Sequence, residues 1–91
     1  MTAEEARSIA ESFLARVGGD PVGVVRVEAV PNSAGFLVFY EDARALRGDS
    51  RYQLLGNVPV VVSGLTGEAT ISGSVYDFRD SAATWLASRK L

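Results

Sequence analysis

The run FLVFY, residues 36–40, decides the fold of this chain of 91 residues. An extended segment with this sequence is apolar on both faces, because side chains alternate along a strand. It is therefore predicted to be a central strand of a sheet. The preceding run PNSAG, residues 31–35, is dense in turn-forming residues, and residues 22–30 are mostly β-branched. Together these runs predict a hairpin with a loop of about five residues.

Alternation in the first strand of this hairpin divides its side chains between two faces. One face is predicted to carry Val25, Val27 and Ala29, and the other Val24, Arg26 and Glu28. Before this strand, Thr2 and Glu5 have the spacing of a capping box, which marks the start of a helix. Apolar residues then recur at helical spacing, at Ala6, Ile9, Ala10, Phe13, Leu14 and Val17. Gly18-Gly19 is predicted to end this helix.

The second half of the chain continues the sheet and ends in another helix. PVVVS, residues 59–63, is predicted to be the third strand, and Pro59 fits the first strand position because it lacks an amide donor. The preceding Gly56-Asn57 is predicted to be a tight bend. Residues 64–68 form a turn, and residues 69–74 are predicted to be the fourth strand. A second apolar stripe that includes Trp85 predicts a helix starting near Asp77.

These segments predict one α+β domain spanning residues 1–91, in the order α-β-β-β-β-α. A four-stranded antiparallel sheet, with the N-terminal and C-terminal helices packed on one face, would cover both apolar stripes. The core is predicted to join Ile9, Phe13, Leu14, Val27, Val38, Val61, Ile71 and Trp85.

The segment EDARALRGDSRYQ, residues 41–53, is the most polar part of the chain. It interrupts the alternation of the sheet, and it is predicted to hold a short helical turn at residues 42–46 that ends at Gly48. Most connecting segments simply run over the surface as solvated loops. Arginine and tyrosine are nevertheless enriched at protein interfaces. We therefore predict that this segment, with the adjacent sheet face or edge, forms part of a partner-binding surface built on Arg44, Arg47, Arg51 and Tyr52.

Composition excludes several classes of function. The net charge of -2 gives no electrostatic footprint for nucleic acid or an anionic membrane. Histidine and cysteine are absent, which removes the usual general base, the thiolate nucleophile and most transition-metal ligands. The N-terminal residues do not resemble a signal peptide, and no run approaches the ~20 apolar residues of a membrane helix. We expect a cytoplasmic protein with no cofactor, metal or nucleotide.

Two carboxylate pairs remain as candidates for acid–base chemistry. They are Glu41 with Asp42, and Asp77 with Asp80. Each pair stands at the predicted start of a helical segment, where carboxylates commonly cap the helix. We therefore favour capping for both pairs, and we expect no catalytic residues.

Residues 6–74 resemble the immunity protein 35 family, also called YrhB-like, whose members protect bacteria from their own polymorphic toxins. The resemblance rests on the order and spacing of Phe36, Phe39, Tyr40, Gly48, Asp49, Leu55, Gly56, Asn57, Pro59, Thr66 and Gly67. The family often has tryptophan where this chain has Phe36, and the segment containing Trp85 is longer here.

The resemblance implies an immunity protein that binds and neutralises a cognate toxin domain. The alternative is a small peptide- or client-binding module, stress-related or chaperone-like, that uses an exposed strand edge. The sequence leaves a homodimer open in either case. A gene for a large secreted toxin beside this gene would favour immunity over the alternative.

Overall fold

The sheet is antiparallel throughout, and its four strands lie side by side in chain order. A computed structural model describes residues 1–54 and 57–89. The elements are α1 (Ala3–Val17), β1 (Val22–Ala29), β2 (Gly35–Asp42), α2 (Ala43–Leu46), a 3-10 turn (Ser50–Tyr52), β3 (Val60–Ser63), β4 (Ala69–Ile71) and α3 (Phe78–Ala87). The predicted α+β class and the four-stranded antiparallel sheet between two terminal helices are confirmed, and β2 is a central strand.

Local sequence accounts for both ends of α1. The Thr2 hydroxyl accepts a hydrogen bond from the Glu5 amide at 3.2 Å, and the Glu5 carboxylate accepts one from the Thr2 amide at 3.0 Å. This is the predicted capping box. Gly18, with φ of 85°, ends the helix in a conformation that favours glycine.

The two long helices lie on opposite faces of the sheet, so the prediction that they share one face is wrong. Val38 and Val60 belong to the apolar cluster beneath α1. Their neighbours Leu37 and Val61 belong to a separate cluster beneath α3. The physical reason lies in β2, whose side chains are apolar on both faces and therefore need cover on both.

The predicted single core is accordingly two cores. Ile9, Phe13, Leu14, Val27 and Val38 lie in the cluster beneath α1, whereas Val61 and Trp85 lie in the cluster beneath α3. Ile71 is 40% exposed on the outer strand β4, so its place in the predicted core is wrong. β4 is also shorter than predicted, since it ends at Ile71.

A β-bulge changes which residues of β1 face each helix. Val24 pairs with Tyr40 and Arg26 pairs with Phe39, so Val25 is an extra residue on this strand. Beyond the bulge Val27 pairs with Val38. Val24 and Val27 therefore both pack beneath α1, and the strict alternation predicted for this strand is wrong.

The start of β3 is held by the backbone of Pro59. Its carbonyl accepts hydrogen bonds from the Ser72 amide at 3.1 Å and the Ser72 hydroxyl at 2.8 Å. Pro59 is buried immediately before β3, as its missing donor predicts. The predicted bend at Gly56-Asn57 lies partly outside the described residues, because Gly56 is not among them.

The two helices cover the sheet unequally. α1 has 15 residues and contacts all four strands. α3 has 10 residues and packs mainly on β3, with Leu86 against Gly35 of β2. Val25 is 51% exposed and the side chain of Arg26 is 57% exposed. The part of the second face near these residues is therefore accessible to solvent.

Candidate protein-binding surface

The segment after β2 forms an ordered surface, which we call the insert (residues 42–53). Asp42 caps α2, because its carboxylate accepts a hydrogen bond from the Arg44 amide at 2.8 Å. Gly48, with φ of 106°, ends α2 as predicted. The Asp49 amide then donates to the Arg44 carbonyl at 3.0 Å, which completes a Schellman motif. The Asp49 carboxylate in turn accepts from the Arg51 amide and opens the 3-10 turn.

Arg44 joins the insert to the beginning and end of the β1–β2 hairpin. Its Nη2 lies 2.8 Å from an oxygen of Asp42 and 2.8 Å from an oxygen of Asp20, and its Nε donates to the other oxygen of Asp42 at 3.1 Å. The guanidinium also lies over the ring of Tyr52, 3.6 Å from the ring centre. Arg44 is thus engaged on three sides within the chain.

These contacts perturb the titration of Asp42, whose side chain is only 5% exposed. The hydrogen bonds donated by the Arg44 side chain lower the pKa of Asp42 to about 2, against the opposing effect of burial. The carboxylate is therefore ionised at neutral pH, and the cap and the ion pair are both present.

The four residues predicted to bind a partner are divided by the structure. Arg44, Arg51 and Tyr52 form one group, since both guanidinium groups approach the Tyr52 ring, at 3.6 Å and 5.8 Å from its centre. The Arg51 side chain is 81% exposed and pairs with Asp49 at 2.8 Å. Arg47 is exposed at the C-terminal end of α2. Arg47, Arg51 and Tyr52 therefore reach solvent, while the half-buried Arg44 supports the group.

Glu41 holds the two ends of the insert together. One oxygen of its carboxylate accepts hydrogen bonds from the amides of Asp42 and Leu54, both at 2.7 Å. After the insert, the Asn57 side chain donates to the Tyr40 carbonyl at 3.1 Å. The capping interpretation is therefore confirmed for Asp42, whereas Glu41 binds two amides that lie outside the first turn of α2.

The helix capping predicted for the second carboxylate pair is wrong, because no side chain among the described residues caps the first turn of α3. Asp77 is the N-cap residue of α3, but its carboxylate accepts from the Ser74 amide and hydroxyl, at 2.8 and 2.9 Å, rather than from the first turn of the helix. It therefore orders the segment before the helix. In residues 1–54 and 57–89, no group of three or more acidic side chains has the arrangement of a metal site.

The sequence predicted that the sheet face or edge beside the insert takes part in binding, but it did not identify the residues of that face. We call this surface the open face, and it consists of Val25, Arg26 and Phe39 of the sheet with Leu46 of the insert. Val25 and Leu46 are each 51% exposed. A shallow depression of about 370 Å³ lies between these two side chains and the insert. The exposed position of Val25 depends on the bulge, which the adjacent valines Val24 and Val25 give no means to locate.

Comparisons with known proteins give no relative for this chain. No protein-family model, curated protein or solved structure matches it. The resemblance to the immunity protein 35 family therefore stays a prediction. In the part of the chain that the structure describes, no helix is both long enough and apolar enough to span a membrane.

Proposed function

We propose that this chain is an immunity protein that acts in the bacterial cytoplasm and neutralises a cognate toxin domain by binding it. The insert and the open face form the proposed contact surface. The resemblance in motif order supports this proposal. The matched residues Gly48, Pro59 and Gly67 lie at turns or at a strand start, so they build the fold, and contacts with a toxin fall to other side chains.

The observation that carries the proposal is the rigid construction of the insert. Its backbone is fixed before any partner binds. Arg44 stacks on Tyr52, and the carboxylates of Asp42 and Asp49 cap the two short turns. Glu41 accepts a hydrogen bond from the Leu54 amide and so joins the two ends. A preorganised surface loses less conformational entropy on binding, which tight neutralisation requires. Arginine and tyrosine are also the residues that most often dominate binding energy.

The alternative is a module that binds peptides at a strand edge. β1 is an outer strand of eight residues, so an edge is available. The bulge at Val25 interrupts its regular pairing geometry, and such bulges commonly protect an edge from added strands. The geometry therefore favours a partner that binds the insert and the open face.

The test is co-expression with the toxin domain encoded beside this gene. Alanine at both Arg47 and Arg51 is expected to weaken toxin binding by more than ~2 kcal/mol, the size of a hot-spot loss. Both side chains are exposed, so the fold should be preserved. Tyr52 is left in place because it covers Arg44.

The matched control replaces the exposed Arg7 and Arg16 on α1, which removes the same charge from the helix that covers the first face of the sheet. This control should protect cells as the parent does. Parental protection and affinity in the Arg47/Arg51 variant would place the interface elsewhere. The absence of any toxin gene next to this one, with no rescue by co-expression, would overturn the immunity proposal.

A further inference from the structure

Aromatic rings contact two arginines on the second side of the sheet, Arg26 of β1 and Arg79 of α3. The Arg26 guanidinium lies 4.1 Å from the centre of the Phe39 ring, and the Arg79 guanidinium lies 5.1 Å from that of Phe78. The two rings contact each other edge to face, with centres 6.0 Å apart and planes at 84°. One aromatic pair thus supports both cations across the junction of α3 and the sheet.

Both arginines share a single carboxylate. Arg26 lies 3.2 Å from one oxygen of Glu28, and Arg79 lies 2.8 Å from the other. The hydrogen bond from Arg79 is the main reason that the pKa of Glu28 is lowered, so this carboxylate is ionised at neutral pH. Two positive charges therefore face one negative charge, and the group carries a net charge of about +1.

The positive charge is also the more accessible part of the group. Each arginine side chain is 57% exposed, whereas that of Glu28 is 31% exposed. A guanidinium has five N–H donors in a fixed plane, and a single carboxylate oxygen does not use them all. Donors of Arg26 and Arg79 are thus available to a second carboxylate.

Apolar surface lies beside this cationic group. Val25 precedes Arg26 on β1, and Leu46 packs on the same strand, where a Cβ at Gly23 would lie 2.6 Å from its Cδ1. Both side chains are about half exposed. The ring contacts and the shared carboxylate hold both guanidinium groups beside this apolar surface, and preorganised groups lose less entropy on binding.

We propose that the open face, together with Arg79, binds an acidic segment of a partner protein, with partner carboxylates on Arg26 and Arg79 and a partner apolar side chain on Val25 and Leu46. This deepens the proposed function and rests on it for the identity of the partner as a toxin. A nucleic-acid backbone requires many cations, but this surface offers two arginines on a chain of net charge -2. The aliphatic side chains beside them suit a protein segment better.

The experiment is selection of a random peptide library on the folded, immobilised protein. Enriched peptides are expected to carry Asp or Glu next to apolar residues. Their binding should weaken at least about ten-fold when Arg26→Gln and Arg79→Gln are combined, and it should fall as the NaCl concentration rises. The control pair Arg7→Gln and Arg16→Gln on α1 should leave peptide binding unchanged. Circular dichroism checks that both double variants are folded.

Four results would overturn the inference. They are enrichment of basic or uncharged peptides, failure to enrich any peptide, unchanged binding by the Arg26/Arg79 variant, and tighter binding of a single-stranded oligonucleotide than of the acidic peptides. A positive selection combined with failure to rescue cells from a toxin would leave this surface standing and remove the immunity proposal. The two proposals can therefore fail separately.

Discussion

The two faces of the sheet differ in how completely the chain covers them. The first face lies beneath α1, which contacts all four strands, and fully buried Val38, Val60 and Val62 line it. The second face lies beneath the shorter α3, which leaves Val25 and Arg26 exposed beside the insert. The first face is therefore a covered core, whereas the second combines a core with an accessible surface.

The largest expected loss of stability comes from truncating one buried leucine on each of the two long helices. Leu14 is 8% exposed on α1 and Leu86 is 3% exposed on α3. Leu14→Ala and Leu86→Ala should each lower the free energy of unfolding by about 2–5 kcal/mol, because each removes buried methylenes and leaves a cavity. Chemical denaturation measures both. A loss near zero for Leu86→Ala would show that α3 does not complete a core.

A smaller loss of stability is expected from adding a methyl group between α3 and the sheet. A Cβ at Gly35 would lie 2.5 Å from Leu86 and 2.9 Å from the backbone oxygen of Val62. Gly35→Ala should therefore cost about 1–3 kcal/mol through overpacking. Combining it with Leu86→Ala should cost less than the sum of the single variants, since the truncation relieves part of the clash. Strict additivity in a double-mutant cycle would contradict this packing.

The contribution of the Asp42–Arg44 ion pair to the stability of the fold depends on pH. Arg44 holds the pKa of Asp42 at about 2, below the ~3.9 of an unfolded chain, so this carboxylate stabilises the fold above about pH 4. Its contribution is lost as the pH falls through about 2. Asp42→Asn should lower the thermal midpoint near pH 7, and the difference from the parent should shrink towards pH 2. A difference that is constant over this range would contradict the role given to this ion pair.

The sequence predicted the features that depend on neighbours along the chain. The capping box at Thr2 and the stop at Gly48 are local, and both are confirmed. Pro59, predicted to be the first residue of the third strand, lies one residue before it. The sheet and the central position of β2 follow from a run of apolar residues that is equally local. Patterns of this kind need only a few residues to be recognised.

The features that the sequence did not predict depend on distant parts of the chain. The apolar run of β2 required cover on both faces, but the pattern does not say which helix goes to which side. The contact of Arg44 with Asp20 spans 24 residues, and no local motif indicates it. The bulge at Val25 lies beside a second valine, Val24, so the sequence does not show which of the two side chains is exposed.

The most direct test of the difference between the two faces is the solvent accessibility of valine and leucine methyl groups. A soluble paramagnetic probe broadens the NMR signals of methyl groups that it can approach. Val25 and Leu46 should be strongly broadened, while Val38 and Val60 beneath α1 and Val61 beneath α3 should be protected. Protection of Val25 and Leu46 equal to that of these three valines would contradict an open second face, and with it both proposals that depend on it.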